Sequence, residues 1–286
     1  MQPVLSHYQA KELLAARAAG KSSCEVSADL GLTRQAVSLG PDGVGFSGGE
    51  GGKEQCCLDW EAVAAVAEDE NGCYVIRAGE ASKIHFFSEV TGRSLSLYPT
   101  TGAPTMLVSG IPMHRIKDTD PHKDTLEKMR AIKPVVGRVL DTTTGLGYTA
   151  IEAAKTASQV ITVELDPVAL EVARNNPWSQ ALFANPKIIQ KIGDSFDVIQ
   201  EFETGAFTRI LHDPPVFSLA GDLYSGEFYK ELHRVLRSGG RLFHYVGDPE
   251  SKSGRSVTAG VMRRLQQAGF REIRKSPRAF GVAAVK

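Results

Sequence analysis

The sequence predicts a two-part protein, in which an α+β domain over residues 1–111 precedes an α/β domain over residues 112–286 built on a mostly parallel sheet. Three observations predict it. At 286 residues the chain exceeds the roughly 100–200 residues over which a single core usually forms. Up to about residue 110, short apolar segments alternate with period two and follow one another directly, as antiparallel strands do. From Arg138 onward, strand-like and helix-like segments take turns, a rhythm that implies a parallel sheet covered by helices on both faces.

The first domain opens with a helix over residues 7–18, HYQAKELLAARA. Cys24, Val26, Ala28, Leu30 and Leu32 then alternate with polar or small residues, which predicts a half-buried strand and is preferred to a helix-turn-helix around DLGLTRQAVS. Further strands are expected over 43–47, 73–78, 83–90, 94–99 and 106–109, with a helix over 58–68 and a flexible loop at FSGGEGGKE, residues 46–54. Residues 111–134 form a connector that begins as a polar loop, carrying His114, Arg115, Lys117 and Asp120, and continues as a helix.

In the second domain RVLD, VITVEL, KIIQKIGD, TRILHDPP and GRLFHYVG read as strands. The helices between them are TAIEAAKTA, PVALEVARNN, SFDVIQEF and EFYKELHRVL, and helical AGVMRRLQQAG leads to two last strands, FREIRKS and AFGVAAVK.

Composition narrows the function classes. With 42% hydrophobic and 23% charged residues the chain can bury a core, which excludes an overall disordered protein. Lys+Arg 33 balances Asp+Glu 33, so the protein does not coat nucleic acid uniformly. From Lys252 onward, however, Arg255, Arg263, Arg264, Arg271, Arg274, Lys275, Arg278 and Lys286 are opposed only by Glu272, which suits a polyanionic partner or a solvated face. No apolar run approaches the ~20 residues needed to span a bilayer, and MQPVLSHYQAKELL is too polar for a signal peptide, so a cytoplasmic location without a membrane partner is expected. Cys24, Cys56, Cys57 and Cys73 form neither a disulfide framework nor a CxxC pair, which points to small core residues or free thiols and no metal.

Ligands of such sheets bind beyond the carboxyl ends of the strands. There the first strand delivers Asp141 and the turn TTTGLGYTA, where Thr143, Thr144, Gly145 and Gly147 bring backbone close to a ligand. The second strand ends in Glu164, placed to accept both ribose hydroxyls of an adenosine. The third leads to Asp194 and Ser195, on the adenine side. Each has a plainer use: Asp141 as a turn cap, Glu164 as an exposed loop residue, Asp194 as a helix cap. The fourth strand ends in HDPPVF, where His212 is a candidate proton acceptor or phosphate contact and Asp213, Pro214 and Pro215 make a stiff acidic turn. His244 and Tyr245, ending the fifth strand, are candidates for the substrate side.

Taken together, VLDTTTGLGYTA, VITVELDP, KIGDSF and HDPPVF resemble the motifs of the class I S-adenosylmethionine-dependent methyltransferases over about residues 112–286, and the whole chain is similar to a group of predicted archaeal methyltransferases. The resemblance implies a Rossmann-like fold with a seven-stranded, mostly parallel sheet and an antiparallel last strand. It also implies S-adenosyl-L-methionine as cofactor and, at Asp213, Pro214, Pro215 and Phe217, a loop that positions an acceptor amine and stacks on its base. Two departures stand out. Thr143 occupies a place where most of the family has glycine, and Val216 follows the second proline where the aromatic is usual. The expected substrate is a base nitrogen in tRNA or rRNA; the alternatives are a small-molecule methyl acceptor, spermidine-synthase-like aminopropyl transfer, or a non-catalytic RNA- or cofactor-binding module.

Overall fold

The computed structural model describes residues 2–46, 56–215, 220–248 and 250–286. It divides into two compact units, one comprising Met1–His122 with Val168–Gln180, the other Lys123–Pro167 with Ala181–Lys286.

Among the described residues of the first unit, residues 2–120 form three antiparallel sheets and two helices. Strands β1 (Val4–Ser6), β6 (Cys73–Arg77) and β7 (Glu80–Lys83) form one sheet in the order β1-β6-β7. A second is built from β2 (Ser23–Val26), β3 (Gln35–Leu39), β4 (Gly43–Phe46) and β5 (Cys56–Asp59) in sequence order. The third, β11-β10-β9-β8, combines β8 (His85–Ser88), β9 (Arg93–Tyr98), β10 (Thr105–Val108) and β11 (Ile111–Pro112). Helix α1 (His7–Ala18) starts at a reciprocal capping box between Ser6 and Gln9, and α2 (Trp60–Glu68) starts where Asp59 accepts from the Ala62 amide. Leu13, Val26, Val44, Leu58 and Val63 pack into one core of this unit.

Three local expectations are corrected here. The alternation from Cys24 to Leu32 is strand only to Val26, because Ser27 and Asp29 compete for the backbone. Ser27 Oγ accepts from the Gly31 amide at 2.6 Å and Asp29 from the Thr33 amide at 2.9 Å, while Leu30 turns left-handed at φ 54°. The expected strand over 83–90 is divided at Ile84 between two sheets. The expected helix over 58–68 begins at Trp60, after β5. The loop reading of residues 47–54 lies outside the described residues.

The second unit holds one seven-stranded sheet. Its strands are β12 (Arg138–Asp141), β13 (Gln159–Glu164), β14 (Ile188–Ile192), β15 (Phe207–His212), β16 (Leu236–Tyr245), β17 (Arg271–Ser276) and β18 (Gly281–Val285). The order is β14-β13-β12-β15-β16-β18-β17. Strands β12 to β16 are mutually parallel, while β18 enters antiparallel to β16 and carries β17 antiparallel to itself at the edge. The helices are α3 (Pro121–Ala131), α4 (Tyr148–Ala154), α5 (Pro167–Arg174), α6 (Gln180–Ala184), α7 (Ser195–Val198), α8 (Gly226–Val235) and α9 (Lys252–Gln267), with α5 beyond Pro167 grouping with the first unit. Phe207, Ile210, Phe228, Leu232, Leu242, Val261 and Val282 fill a core between sheet and helices. Strand β15 is buried at every residue, as a central parallel strand covered on both faces must be.

Among the described residues, Cys24, Cys57 and Cys73 are free thiols, no His/Cys/Asp/Glu cluster could hold a metal ion, and no helix is long and apolar enough to cross a membrane.

Candidate active site

Strand order alone creates the site. The crossovers leave β12 in opposite directions, toward β13 and β14 on one side and β15 and β16 on the other, so the topological switch point, where sheets of this kind bind ligands, lies at the carboxyl end of β12. Register places Asp141 beside Thr162 of β13 and Leu211 of β15, which brings the turns after all three strands to one end of the sheet.

Asp141 is fully buried. One carboxylate oxygen, Oδ2, accepts from the hydroxyls of Thr149 at 2.8 Å and Thr162 at 3.2 Å. The other, Oδ1, has no hydrogen-bond partner at normal geometry among the described residues, although the Thr143 amide lies near enough to favour the anion. Burial dominates and pushes the carboxyl up to about 7 from its ordinary 3.8, with Asp213 adding repulsion.

The turn that follows is held by its hydroxyls and amides. Thr142 donates its amide to Leu211 O at 3.0 Å, and Thr144 donates its amide to Val163 O at 2.9 Å and shares a 2.7 Å hydroxyl contact with Thr162. Thr143 Oγ1 donates to the Asp213 carbonyl at 2.7 Å, so the residue standing where the family usually has glycine ties the turn to the HDPP loop. Gly145 and Gly147 have φ of 51° and 75°. At Gly147 a Cβ would lie 2.7 Å from Leu182 Cδ2, so both conformation and space require glycine there.

Glu164 turns back onto the same turn. Its Oε2 accepts from the Gly145 amide at 2.8 Å and its Oε1 from the Asp166 amide at 3.1 Å. Burial raises its pKa, opposed by these amides. Asp194 caps α7, accepting from the Phe196 amide at 2.8 Å, and Ser195 Oγ donates to the Thr142 carbonyl. The eight residues of the expected cofactor set are therefore joined through the ends of β12, β13 and β14.

At the end of β15 the chemistry changes. Asp213 Oδ2 lies 2.6 Å from Lys128 Nζ, and the same ammonium lies 2.8 Å from Asp124 Oδ2. The Lys128 side chain is 1% exposed, and its Nζ stands 4.6 Å from the centroid of the Tyr245 ring. Burial pulls this ammonium toward neutrality, but Asp213 and Asp124 outweigh it and hold the lysine protonated above its ordinary range. The Pro215 carbonyl accepts from Tyr224 Oη at 3.0 Å, whereas the Pro214 carbonyl meets no donor among the described residues. Phe217 lies outside the described residues.

His212 is corrected from a proton acceptor or phosphate contact to an interior strut. It is fully buried, with Nδ1 against Thr142 Oγ1 at 2.7 Å and Nε2 against Leu223 O at 2.9 Å. Burial lowers its pKa to about 3, so the ring is neutral and both nitrogens are committed to the scaffold. His244 is likewise interior, bonded through Nε2 to Tyr229 Oη at 2.7 Å and 4.3 Å, centroid to centroid, from His212. Of the connector residues, His114 meets Thr105 Oγ1 at 3.0 Å and Asp120 accepts from the His122 amide at 3.0 Å, both within the first unit.

Sequence reasoning missed Lys128, although a signal exists. Asp124, Thr125, Lys128, Met129 and Ile132 share one buried stripe around α3, so an i,i+4 Asp–Lys pair occupies apolar positions of that helix. Charges at such positions demand a buried counter-charge, here Asp213.

The model of the methyltransferase small domain matches residues 124–259. The uncharacterized protein MJ1233 of Methanocaldococcus jannaschii is 46% identical over 232 residues, which cover 80% of this chain and 78% of that one. Spermidine synthase from Thermotoga maritima superposes with a TM-score of 0.56 at 19% identity over 70% of each chain. MnmC2 from Aquifex aeolicus superposes with a TM-score of 0.51 at 20% identity, over 70% of this chain and 72% of its own. At those identities the two solved structures share the fold.

Proposed function

We propose, for a chain that belongs to the class I S-adenosylmethionine-dependent methyltransferases and to one family with MJ1233, that its acceptor is a base nitrogen in RNA, tRNA or rRNA, within the cytoplasm. The observation that carries the proposal is the Asp213-Pro214 turn, which is tied to the cofactor turn by Thr143 and fixed from behind by Lys128.

The residues fit the cofactor. A buried carboxylate oxygen without a hydrogen-bond partner among the described residues, Asp141 Oδ1, suits the ammonium of the methionine moiety, and the left-handed glycines Gly145 and Gly147 shape the turn beside it. Thr143 and Thr144 line that turn, Glu164 serves the ribose, and Asp194 with Ser195 serves the adenine side. S-adenosylmethionine supplies an electrophilic methyl group.

On the acceptor side, the Asp213 carboxylate takes one N–H of an exocyclic amine and the Pro214 carbonyl takes another. Two fixed acceptors orient the nitrogen lone pair, which is catalysis by positioning and preorganised electrostatics, with no covalent intermediate on the protein. Pro215, pinned by Tyr224, keeps the turn rigid. The N-terminal domain, residues 1–111, contributes substrate recognition.

A neutral acceptor fits this site better than a polyamine. An ammonium substrate needs carboxylates to receive it, and here the two at hand, Asp124 and Asp213, already hold the protein's own ammonium, Lys128. Aminopropyl transfer is therefore the weaker reading of the same fold.

Incubation with methyl-labelled S-adenosylmethionine and unmodified bulk tRNA and rRNA, followed by nucleoside mass spectrometry, tests the proposal. A single methylated base is expected. Label that enters a small amine and no RNA fraction overturns it.

A further inference from the structure

The second unit carries a basic groove that the methyl-transfer chemistry does not use. It lies between the last turn of α3 and the edge strand β17, has a volume of about 520 Å³, and is lined by Glu127, Arg130, Arg274, Lys275, Pro277 and Arg278 among others. Four cations face one carboxylate, and that carboxylate is paired with Arg130. Arg130, Arg274, Lys275 and Arg278 are all exposed, in a protein whose formal charge is zero.

Register gives the groove a direction. Ser276 pairs with Gly281, and Gly281 pairs with Tyr245 at the end of β16. The Tyr245 ring lies against Lys128, which holds Asp213. The Ser276 end of the groove thus opens at the carboxyl end of β16, two strand spacings or about 10 Å away across the sheet. The opposite end of β17, where Arg271 pairs with Val285, has a second groove in which Arg263 and Arg271 are accompanied by Glu272.

We infer that the α3–β17 groove seats the phosphodiester backbone of the RNA beside the target nucleotide, with Arg130, Arg274, Lys275 and Arg278 as phosphate contacts. An open trough of exposed cations suits an extended polyanion, whose binding is dominated by such contacts and carries no base readout. Charged side chains on an edge strand also deter strand pairing. That role accounts for Arg274 and Lys275 alone and requires neither the concavity nor the cation that α3 supplies.

The inference rests on the RNA reading above, and one experiment separates the two. Fluorescence anisotropy with the full chain and an unmodified tRNA transcript is run across a salt series, alongside methyl transfer to the same RNA. Arg274→Glu with Lys275→Glu is expected to weaken RNA binding by at least about tenfold and to flatten the slope of log K against log salt by about 1.5, the loss of two phosphate contacts. Turnover at saturating RNA and S-adenosylmethionine binding are expected to stay within about twofold, because neither residue touches the site, so KM rises alone. Arg263→Glu, in the groove at the far end of β17, is the control and is expected to change RNA binding less than about twofold. Unchanged affinity and salt slope in the double variant overturn the groove while wild-type methylation of tRNA leaves the substrate class standing. A wild-type protein that neither binds nor methylates RNA overturns both.

Discussion

Asp141, the last residue of β12, and Asp213, the first after β15, stand at the ends of neighbouring parallel strands and receive opposite treatment. Asp141 is enclosed by threonine hydroxyls with no cation beside it among the described residues, and burial lifts its pKa to about 7. Asp213 is met by a buried lysine at 2.6 Å, so its charge is matched within the fold. A carboxylate without an internal counter-ion is primed to be completed by a charged ligand, whereas one with a built-in ammonium keeps its place whether or not a ligand is present. In the proposed function, that difference gives the cationic cofactor to one side and a neutral acceptor to the other.

The contrast between the two carboxylates depends most on Lys128. Lys128→Met leaves Asp124 and Asp213 without their shared counter-charge, and urea unfolding is expected to show a loss of about 3–5 kcal/mol. A loss below about 1 kcal/mol would mean that the pair contributes little and that Asp213 is held by its backbone alone. Next in size, Asp213→Ala is expected to lower turnover about 10²- to 10³-fold while calorimetry finds S-adenosylmethionine binding intact. Normal turnover in that variant would remove the amine-positioning role.

On the cofactor side, Glu164→Ala removes an acceptor shared by two amides and, in the proposed complex, by the ribose. Its S-adenosylmethionine Kd is expected to rise about tenfold or more, in line with the roughly 1.5–3 kcal/mol of hydrogen bonds to a charged group. In the proposed complex, Asp141 is expected to make cofactor affinity depend on pH. Because its carboxyl is protonated below about 7 in the ligand-free protein, binding of the cofactor's ammonium is expected to weaken about tenfold per pH unit below that value. The same raised pKa means the folded state holds a proton that the unfolded state releases between 3.8 and about 7, so this group's contribution to stability falls as pH rises through that window. Asp141→Asn is expected to flatten both profiles, measured by calorimetry and thermal melting from pH 6 to 8; a wild-type slope retained in the variant would place the titration elsewhere. The smallest effect sharpens the link between the two sides. Thr143→Val deletes the hydrogen bond to the Asp213 carbonyl and is expected to cost about 1 kcal/mol, near fivefold in turnover, with little change in cofactor affinity.

Much of this was legible in the sequence because it depends on local pattern. Strand–helix alternation from Arg138 sets the parallel sheet, and glycines and acids at successive strand ends mark the turns that the sheet brings to one end. Period-two alternation was less dependable, since Ser27 and Asp29 ended a strand that the apolar spacing alone would have continued to Leu32. Side-chain hydrogen bonds to the backbone override such spacing.

What the chain determined by itself is the order of elements, the identity of the turn residues and the placement of acids at strand ends, because these follow from short-range periodicity and backbone preference. Only the tertiary structure decided what each acid experiences. Lys128 lies 85 residues before Asp213 and becomes its partner through helix packing, and His212, adjacent to Asp213, is turned into the interior where burial keeps it neutral. Charge state and hydrogen-bond satisfaction depend on groups distant in sequence and on exclusion of water, and neither is written in a local pattern.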